Sequence, residues 1–371
     1  MNQLSLRLFA KLSALSFALS IVSHAQVGRA QGSAQVVASY SVLCDLTKQI
    51  AEDTVDLTCL IEAGQDPHTY SATPADRRAV EDADLVLYGG YEFEPDIIQM
   101  VEATDNAAPK VAVSEVAVPE PLLGGHHDHG DEHGDEHGDE DHDEHDDEDH
   151  DEHGDEDHDE HGDEDHDEHG DEDHDEHGDE ETEPDPHVWH DAENGVAMVQ
   201  EIQEQLSEIS PENAALYETN ATALIAQLEQ LDTWIQTQVD TVPVSGRTLI
   251  STHDALGYYG NAYGIELEPA LDSFSTEARP SAANIRELVE VVEETGVASI
   301  FVESTSNPGL IEAVSRETDI AVSEDPIYAD SLGEADTPAA TYQGMLMTNT
   351  CTIVDGLGGT CDQTSAQAMV K

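Results

Sequence analysis

One tripeptide occurs twice in this chain, as Asp66-Pro67-His68 and as Asp185-Pro186-His187. The proline fixes φ immediately before the imidazole. The aspartate can take up the second ring nitrogen or nearby backbone amides, and a carboxylate in that role sets the tautomer that binds metal. A third histidine, His253, directly follows the segment Arg247 to Ser251, R-T-L-I-S. His190 lies one helical turn beyond His187, so both can face the same way. A lone histidine near a loop is most often a surface or hydrogen-bonding residue, and it is the repeated unit that sets this group apart. Of the pair, His187 is favoured for its proline-stiffened backbone, with His190 as the alternative. Asp254, Glu303 and Asp330 are carboxylates available later in the chain, and Asp330 is the best candidate for a fourth ligand. Imidazole with carboxylate suits borderline divalent metals, zinc first.

A second metal signal is compositional. Residues 125–183 are almost entirely His, Asp, Glu and Gly, with an octad E-D-H-D-E-H-G-D from Asp149 onward. The run carries His126, His127, His129, His133, His137, His142, His145, His150, His153, His158, His161, His166, His169, His174 and His177. It has no apolar side chain to bury and dense like charge, so it is expected to be a disordered insertion rather than a folded unit. Its ligands are plentiful but unfixed, which predicts weak, multiple, fast-exchanging zinc sites accessory to a tighter one. A purely solubilising tract is the plainer reading.

The whole chain has 371 residues, 12 Lys plus Arg and a formal net charge of -71. Such a balance excludes nucleic acid and anionic membrane surfaces as partners, since both need basic patches. Residues 1–25 read as a signal peptide. Arg7 and Lys11 precede an apolar stretch from Leu12 to Val22, and Ser23-His24-Ala25 fits a small-x-small cleavage site. No segment is long and apolar enough to span a bilayer. A protein not embedded in the membrane, exported to the periplasm, is expected. Four cysteines fit an oxidising compartment, and they fall into two local pairs, Cys44 with Cys59 and Cys351 with Cys361. Two short-range disulfides are preferred over thiolate zinc ligation, because neither pair has C-x-x-C spacing.

Positioning these groups falls to alternating strands and helices. Strands are expected at Gln35 to Ser41, Val55 to Ile61, Asp84 to Tyr88 and Lys110 to Val113. Helices are expected at Cys44 to Asp53, Thr73 or Pro74 to Asp82, and Glu94 to Ala103. That order predicts a parallel sheet covered on both faces. Ala192 to Ile209 reads as a helix, and Pro211 to about Val239 as one long helix capped by Ser210, with Leu216, Ala223, Leu224, Leu228 and Leu231 on its apolar face. Alternation resumes with a strand at Thr248 to Ser251, a helix at Ala255 to Tyr263, a loop at Leu271 to Pro280 and a helix at Ser281 to Thr295. It ends with Ala298 to Val302, Pro308 to Thr318, Ala321 to Ser323, and a helix from Pro338 to about Ile353. The expected architecture is α/β, with a metal cleft between two lobes. Residues 34–210 form the first lobe, with the insertion at 125–183. Residues 211–240 form a linking spine helix, and 244–371 the second lobe. His68, His187 and His253 then lie near carboxyl ends of strands, where open α/β sheets bind ligands.

The motifs D-P-H-T-Y (Asp66 to Tyr70), D-P-H-V-W (Asp185 to Trp189) and H-D-A-L-G-Y-Y (His253 to Tyr259) occur in that order. E-A-R-P-S (Glu277 to Ser281), S-I-F-V-E (Ser299 to Glu303) and Y-A-D-S-L-G (Tyr328 to Gly333) follow. With the long helix and the His-rich run, this series resembles the zinc-binding, ZnuA-type group of metal-specific ABC-transporter substrate-binding proteins. The resemblance implies a periplasmic receptor, monomeric, that hands one metal ion to an inner-membrane permease. It implies His68, His187 and His253 as ligands and Asp330 at a fourth position that some members fill with carboxylate and others with water. Manganese and iron relatives often carry a carboxylate at the third position, so His253 argues for zinc. His190 stands where an apolar residue is usual. The expected function is therefore zinc binding and delivery, not catalysis: no H-E-x-x-H, phosphate loop or nucleophile elbow is present. The alternatives are a manganese or ferrous receptor, a periplasmic zinc buffer without a permease, and a zinc hydrolase.

Overall fold

The computed structural model describes residues 33–124, 183–271, 273–277 and 282–368. The expected leader, the fifteen histidines of the 125–182 stretch, and the end of the E-A-R-P-S motif lie outside them.

The first lobe is built on a parallel sheet of order β2-β1-β3-β4, formed by β1 (Ala34–Ala38), β2 (Val55–Cys59), β3 (Leu85–Tyr88) and β4 (Lys110–Ala112). Its crossovers are α1 (Ser41–Ala51), α2 (Pro74–Asp82) and α3 (Pro95–Glu102). Helix α1 begins three residues before the expected Cys44. Tyr40 is extended and buried, so the chain turns at Ser39-Tyr40 and Ser41 is already helical. Helix α2 starts at Pro74 because Thr73 and Asp76 form a reciprocal capping box. That box closes the loop carrying His68. A short helix, α4 (Val113–Ala117), replaces the end of the expected fourth strand.

After the insertion, α5 (Ala192–Ile209) spans the residues expected of it, capped by Asp191 accepting from the Glu193 amide. A 3-10 turn at Pro211–Asn213 then leads into α6 (Ala214–Val239). Ser210 does not cap this helix; its hydroxyl accepts from the Asn213 side chain instead. The 26 residues of α6 span about 39 Å. Its buried stripe is Tyr217, Ala221, Leu224, Leu228, Leu231, Ile235 and Gln238, at alternating spacings of four and three. Ala223 is exposed and Leu216 only half-buried, so the true stripe is turned from the expected one.

In the second lobe β5 (Thr248–Ser251) pairs in parallel with β6 (Glu266–Pro269), and β7 (Ser299–Ile300) with β8 (Ala321–Val322). The Phe301 amide donates to the Ile250 carbonyl and so sets β7 beside β5. Helices α7 (Gly257–Tyr263), α8 (Ala282–Thr295), α9 (Gly309–Thr318), α10 (Tyr342–Gly356) and α11 (Gln363–Gln367) complete the lobe. Strand β6 and helices α4 and α11 were not expected, and α10 starts at Tyr342 rather than Pro338 because Thr341 caps it. The pleat divides the core. Leu249 and Phe301 face the large cluster shared with the first lobe and α6, whereas Ile250 and Ile300 face a smaller cluster under α8 and α9. One continuous apolar core therefore runs through both lobes and the spine helix. Both cysteine pairs are disulfide-bonded, with Cα atoms 5.8 Å apart in Cys44–Cys59 and 5.1 Å apart in Cys351–Cys361. Among the described residues no helix is long and apolar enough to cross a membrane.

Candidate metal centre

His68 sits in the loop after β2, and His187 immediately before the short 3-10 turn Val188–His190 that leads to α5. His253 follows β5 by two residues, and Asp330 lies on the segment after β8. All four side chains meet between the lobes, each offering one nitrogen or oxygen, with these atoms within 4.8 Å of one another. His68 is 5 % exposed and the other three are fully buried. Asp330 Oδ1 lies 3.5 Å from His68 Nε2, 3.3 Å from His187 Nε2 and 3.2 Å from His253 Nε2. The Nε2 atoms of His68 and His187 are 3.4 Å apart. Bonds of about 2.0–2.1 Å to a tetrahedral zinc give a ligand-to-ligand edge of about 3.3–3.4 Å. His253 Nε2 and Asp330 Oδ1 have no hydrogen-bond partner, an expensive state for buried polar atoms unless a cation takes them up.

The carboxylates behind the rings decide which nitrogen faces inward. Asp185 Oδ1 accepts from the His187 amide at 2.9 Å and from ring Nδ1 at 2.8 Å, leaving Nε2 for the centre. In the first copy of the tripeptide, Asp66 Oδ1 accepts the His68 amide at 2.9 Å, while Oδ2 accepts Thr276 Oγ1 from the second lobe at 2.7 Å. The repeated aspartate thus serves backbone and ring in one copy, and backbone and lobe contact in the other. Glu303, read from the sequence only as an available carboxylate, stands behind His253. Its Oε1 accepts the Thr252 and His253 amides at 2.9 and 3.0 Å, and its Oε2 takes the His253 ring Nδ1 and Ser306 Oγ. The adjacency of β5 and β7 brings this pair together, a contact that no local spacing reveals. Thr305 Oγ1 donates to Asp330 Oδ2 at 2.8 Å.

Aromatic rings wall the site. Phe93 meets His68 edge-on at 5.0 Å and packs on Trp189 at 4.7 Å, and Phe274 lies 6.3 Å from His187. Burial lowers the pKa of His253, but the charges of Glu303 and Asp330 outweigh it and hold the value well above the ordinary one. His187 follows the same pattern, with burial overcome by its hydrogen bond to Asp185 and by the facing carboxylate of Asp330. Burial would raise Asp330, yet the facing His253, His187 and His68 hold it well below the usual carboxylate range.

His190 is not in the converging group. Its Nε2 donates to the Ala329 carbonyl at 2.9 Å, its Nδ1 has no partner, and burial with the neighbouring His187 pushes its pKa down to about 3. Asp254 lies outside the group as well, lining a 460 Å³ groove with Asp185, Gly257 and Phe274. If Glu303 orients His253, Glu303→Gln should weaken metal binding about tenfold while the protein still folds. Chelator-competition titration would read this, and an unchanged affinity would remove Glu303 from the site.

The insertion leaves and returns through a closed neck. Gly124 N–H donates to the Glu183 carbonyl at 2.7 Å, Leu123 bridges Pro184 in antiparallel fashion, and Asp185 N–H donates to the Leu122 carbonyl at 2.8 Å. The returning segment runs straight into Asp185 and His187.

The family model of zinc-uptake complex component A, periplasmic, matches residues 36–356. Zinc-binding protein TroA of Treponema pallidum is 27% identical over 332 residues, covering 88% of this chain and 90% of the relative. The manganese-binding lipoprotein MntA of Halalkalibacterium halodurans is also 27% identical, over 323 residues, 87% of this chain and 88% of the relative. The solved structure of periplasmic zinc-binding TroA superposes with a TM-score of 0.70 at 26% identity, covering 88% of this chain and 99% of that one. A manganese-bound periplasmic metal-binding protein from Candidatus Liberibacter asiaticus shares the fold, with a TM-score of 0.65 at 23% identity over 87% of this chain and 98% of that one. With its two lobes, spine helix and match over most of its length, the chain belongs to the family of periplasmic zinc-uptake component A proteins.

Proposed function

We propose that this protein is a metal receptor outside the cytoplasm that binds one zinc ion between its lobes and delivers it to an ABC permease in the membrane. It is a binding component, not an enzyme. The observation that carries the zinc reading is the buried meeting of three imidazole nitrogens with one carboxylate oxygen, at separations matching the edge of a zinc tetrahedron. Imidazole-rich sets favour zinc, whereas oxygen-rich sets favour manganese. His68, His187, His253 and Asp330 are the proposed ligands. Asp185 and Glu303 keep the inward nitrogens of His187 and His253 free of protons once metal arrives. An ion so enclosed leaves only when the lobes part, and α6, packed on both, keeps that movement small. The receptor acts as a monomer and reaches its compartment by a cleaved leader.

A manganese receptor is the second reading, because MntA and the PsaA protein of Streptococcus mitis, both named for manganese, align as well as TroA does. Titration of the metal-free protein with zinc and manganese in competition separates the two. Zinc retained, one per chain, against a large excess of manganese supports the first; manganese displacing zinc supports the second.

The His-rich run is proposed as an accessory collector of zinc at low affinity, feeding the cleft through the neck at Gly124 and Glu183. Joining these residues by a short linker is expected to spare one tight zinc site and remove several weak ones, read by calorimetry. Loss of the tight site would show that the run supplies a ligand to it.

A further inference from the structure

Asp330 reaches the centre on a segment of the second lobe, yet its neighbours are fastened to the first. The Ala329 carbonyl accepts two hydrogen bonds across the interface, from Trp189 Nε1 at 3.2 Å and from His190 Nε2 at 2.9 Å. On the other side, Ser331 Oγ accepts the Gly64 amide at 2.8 Å, and the Leu332 amide donates to Ser41 Oγ at 2.9 Å. Within its own lobe the segment is held by Asn349 pairing with the Tyr328 backbone and by Thr305 on Asp330. Trp189, His190, Ala329 and Asp330 are all buried.

A buried carbonyl with two donors is fixed in both distance and direction. The Ala329 carbonyl belongs to the peptide unit that leads into Asp330, so fixing it anchors the backbone from which the Asp330 side chain reaches the centre, while Thr305 holds the outer carboxylate oxygen. The His190 ring makes no other hydrogen bond, since its Nδ1 has no partner. A buried imidazole with half its polar capacity unused is costly, and an apolar side chain would fill the same space without that cost. The one thing the ring supplies is the Nε2 proton on Ala329.

We infer that His190 is a positioning residue: with Trp189 it clamps the Ala329 carbonyl and thereby sets Asp330 as a metal ligand. The inference rests on the metal-receptor reading above. It makes the first lobe the holder of three ligands, His68 and His187 directly and Asp330 through this clamp. His253 is then the ligand that moves away first when the lobes part.

The test measures zinc release from the full-length protein into excess chelator by stopped flow. Wild type that fails to bind zinc tightly would count against the receptor reading, before any variant is compared. Given tight binding, His190→Leu is expected to release zinc about tenfold faster, the effect of losing one buried hydrogen bond. His190→Gln, which keeps a donor, is expected to recover most of the difference. The acceleration should vanish when Asp330→Ala is already present, because residues acting through one another are not additive. Unchanged release in His190→Leu, or the same tenfold change in the Asp330→Ala background, would overturn the clamp. Where His190→Leu does not fold, Trp189→Phe keeps the ring and removes one donor. A several-fold faster release, dependent on Asp330, is then expected, and an unchanged rate overturns the inference.

Discussion

His253→Ala is expected to bind zinc at least about a hundredfold more weakly than wild type. The free energy of a four-ligand zinc site is shared among its ligands, and His253 is the one contributed by the second lobe's β5 end. Its removal leaves three ligands, His68 and His187 from the first lobe and Asp330 from the second, and opens one corner of the site. It also leaves Glu303 and Asp330 buried without their cationic or metal-bound neighbour, which costs stability in its own right. Affinity, not melting temperature, is therefore the quantity to compare. Chelator-competition titration at fixed pH, at free-zinc levels low enough to read only a tight site, measures it. An affinity within about threefold of wild type would place the tight site elsewhere.

Zinc affinity should fall steeply as the medium is acidified. His253 and His187 both have raised pKa values, despite burial, through Glu303, Asp330 and Asp185. Without metal, a proton therefore occupies the lone pair that ligation needs. Below the raised values each such proton must leave when zinc enters, and each contributes about one log unit of affinity per pH unit. Asp330, held well below the usual range, stays ionised through that window and adds no slope. The affinity should thus climb by one to two log units per pH unit from below the ordinary histidine value, then level off above the raised ones. The sign for the metal-free fold is opposite. A histidine with a raised folded pKa contributes stability that is full below the unfolded value and lost as pH rises through the folded one. Metal-free protein should lose the His253 contribution on going alkaline, while zinc binding gains. Affinity independent of pH between acid and neutral conditions would show that these imidazoles are not the ligands.

Much of the framework was legible because local chemistry decides it. Thr73-Pro74 with Asp76 is a capping box in any context, and α2 begins there. The β-branched run of β5 and the amphipathic pattern of α5 carried the same certainty. What was misread depends on tertiary partners. Strand β6 and the residue before it alternate as Ile265-Glu266-Leu267-Glu268, with Ile265 buried and Leu267 packed on the core, but the run is so short that its pairing with β5 is what identifies it. The stripe of α6 is turned from the expected one because it packs on two lobes with a heptad-like spacing. At the centre, the doubled Asp-Pro-His unit pointed to two of the residues that meet. His253 was marked by its place just after the strand Thr248–Ser251 and Asp330 as an available carboxylate, and strand order in the fold brings both to the centre. The role of His190 was not readable at all, because its partner is a backbone carbonyl that any residue at position 329 would present.

The most direct test of a zinc ion held between the lobes is anomalous diffraction at the zinc edge from crystals loaded with one equivalent. The predicted result is a single strong peak about 2.0–2.1 Å from Nε2 of His68, His187 and His253 and from one oxygen of Asp330. A cleft without that peak, in protein that retains its zinc, would contradict the account.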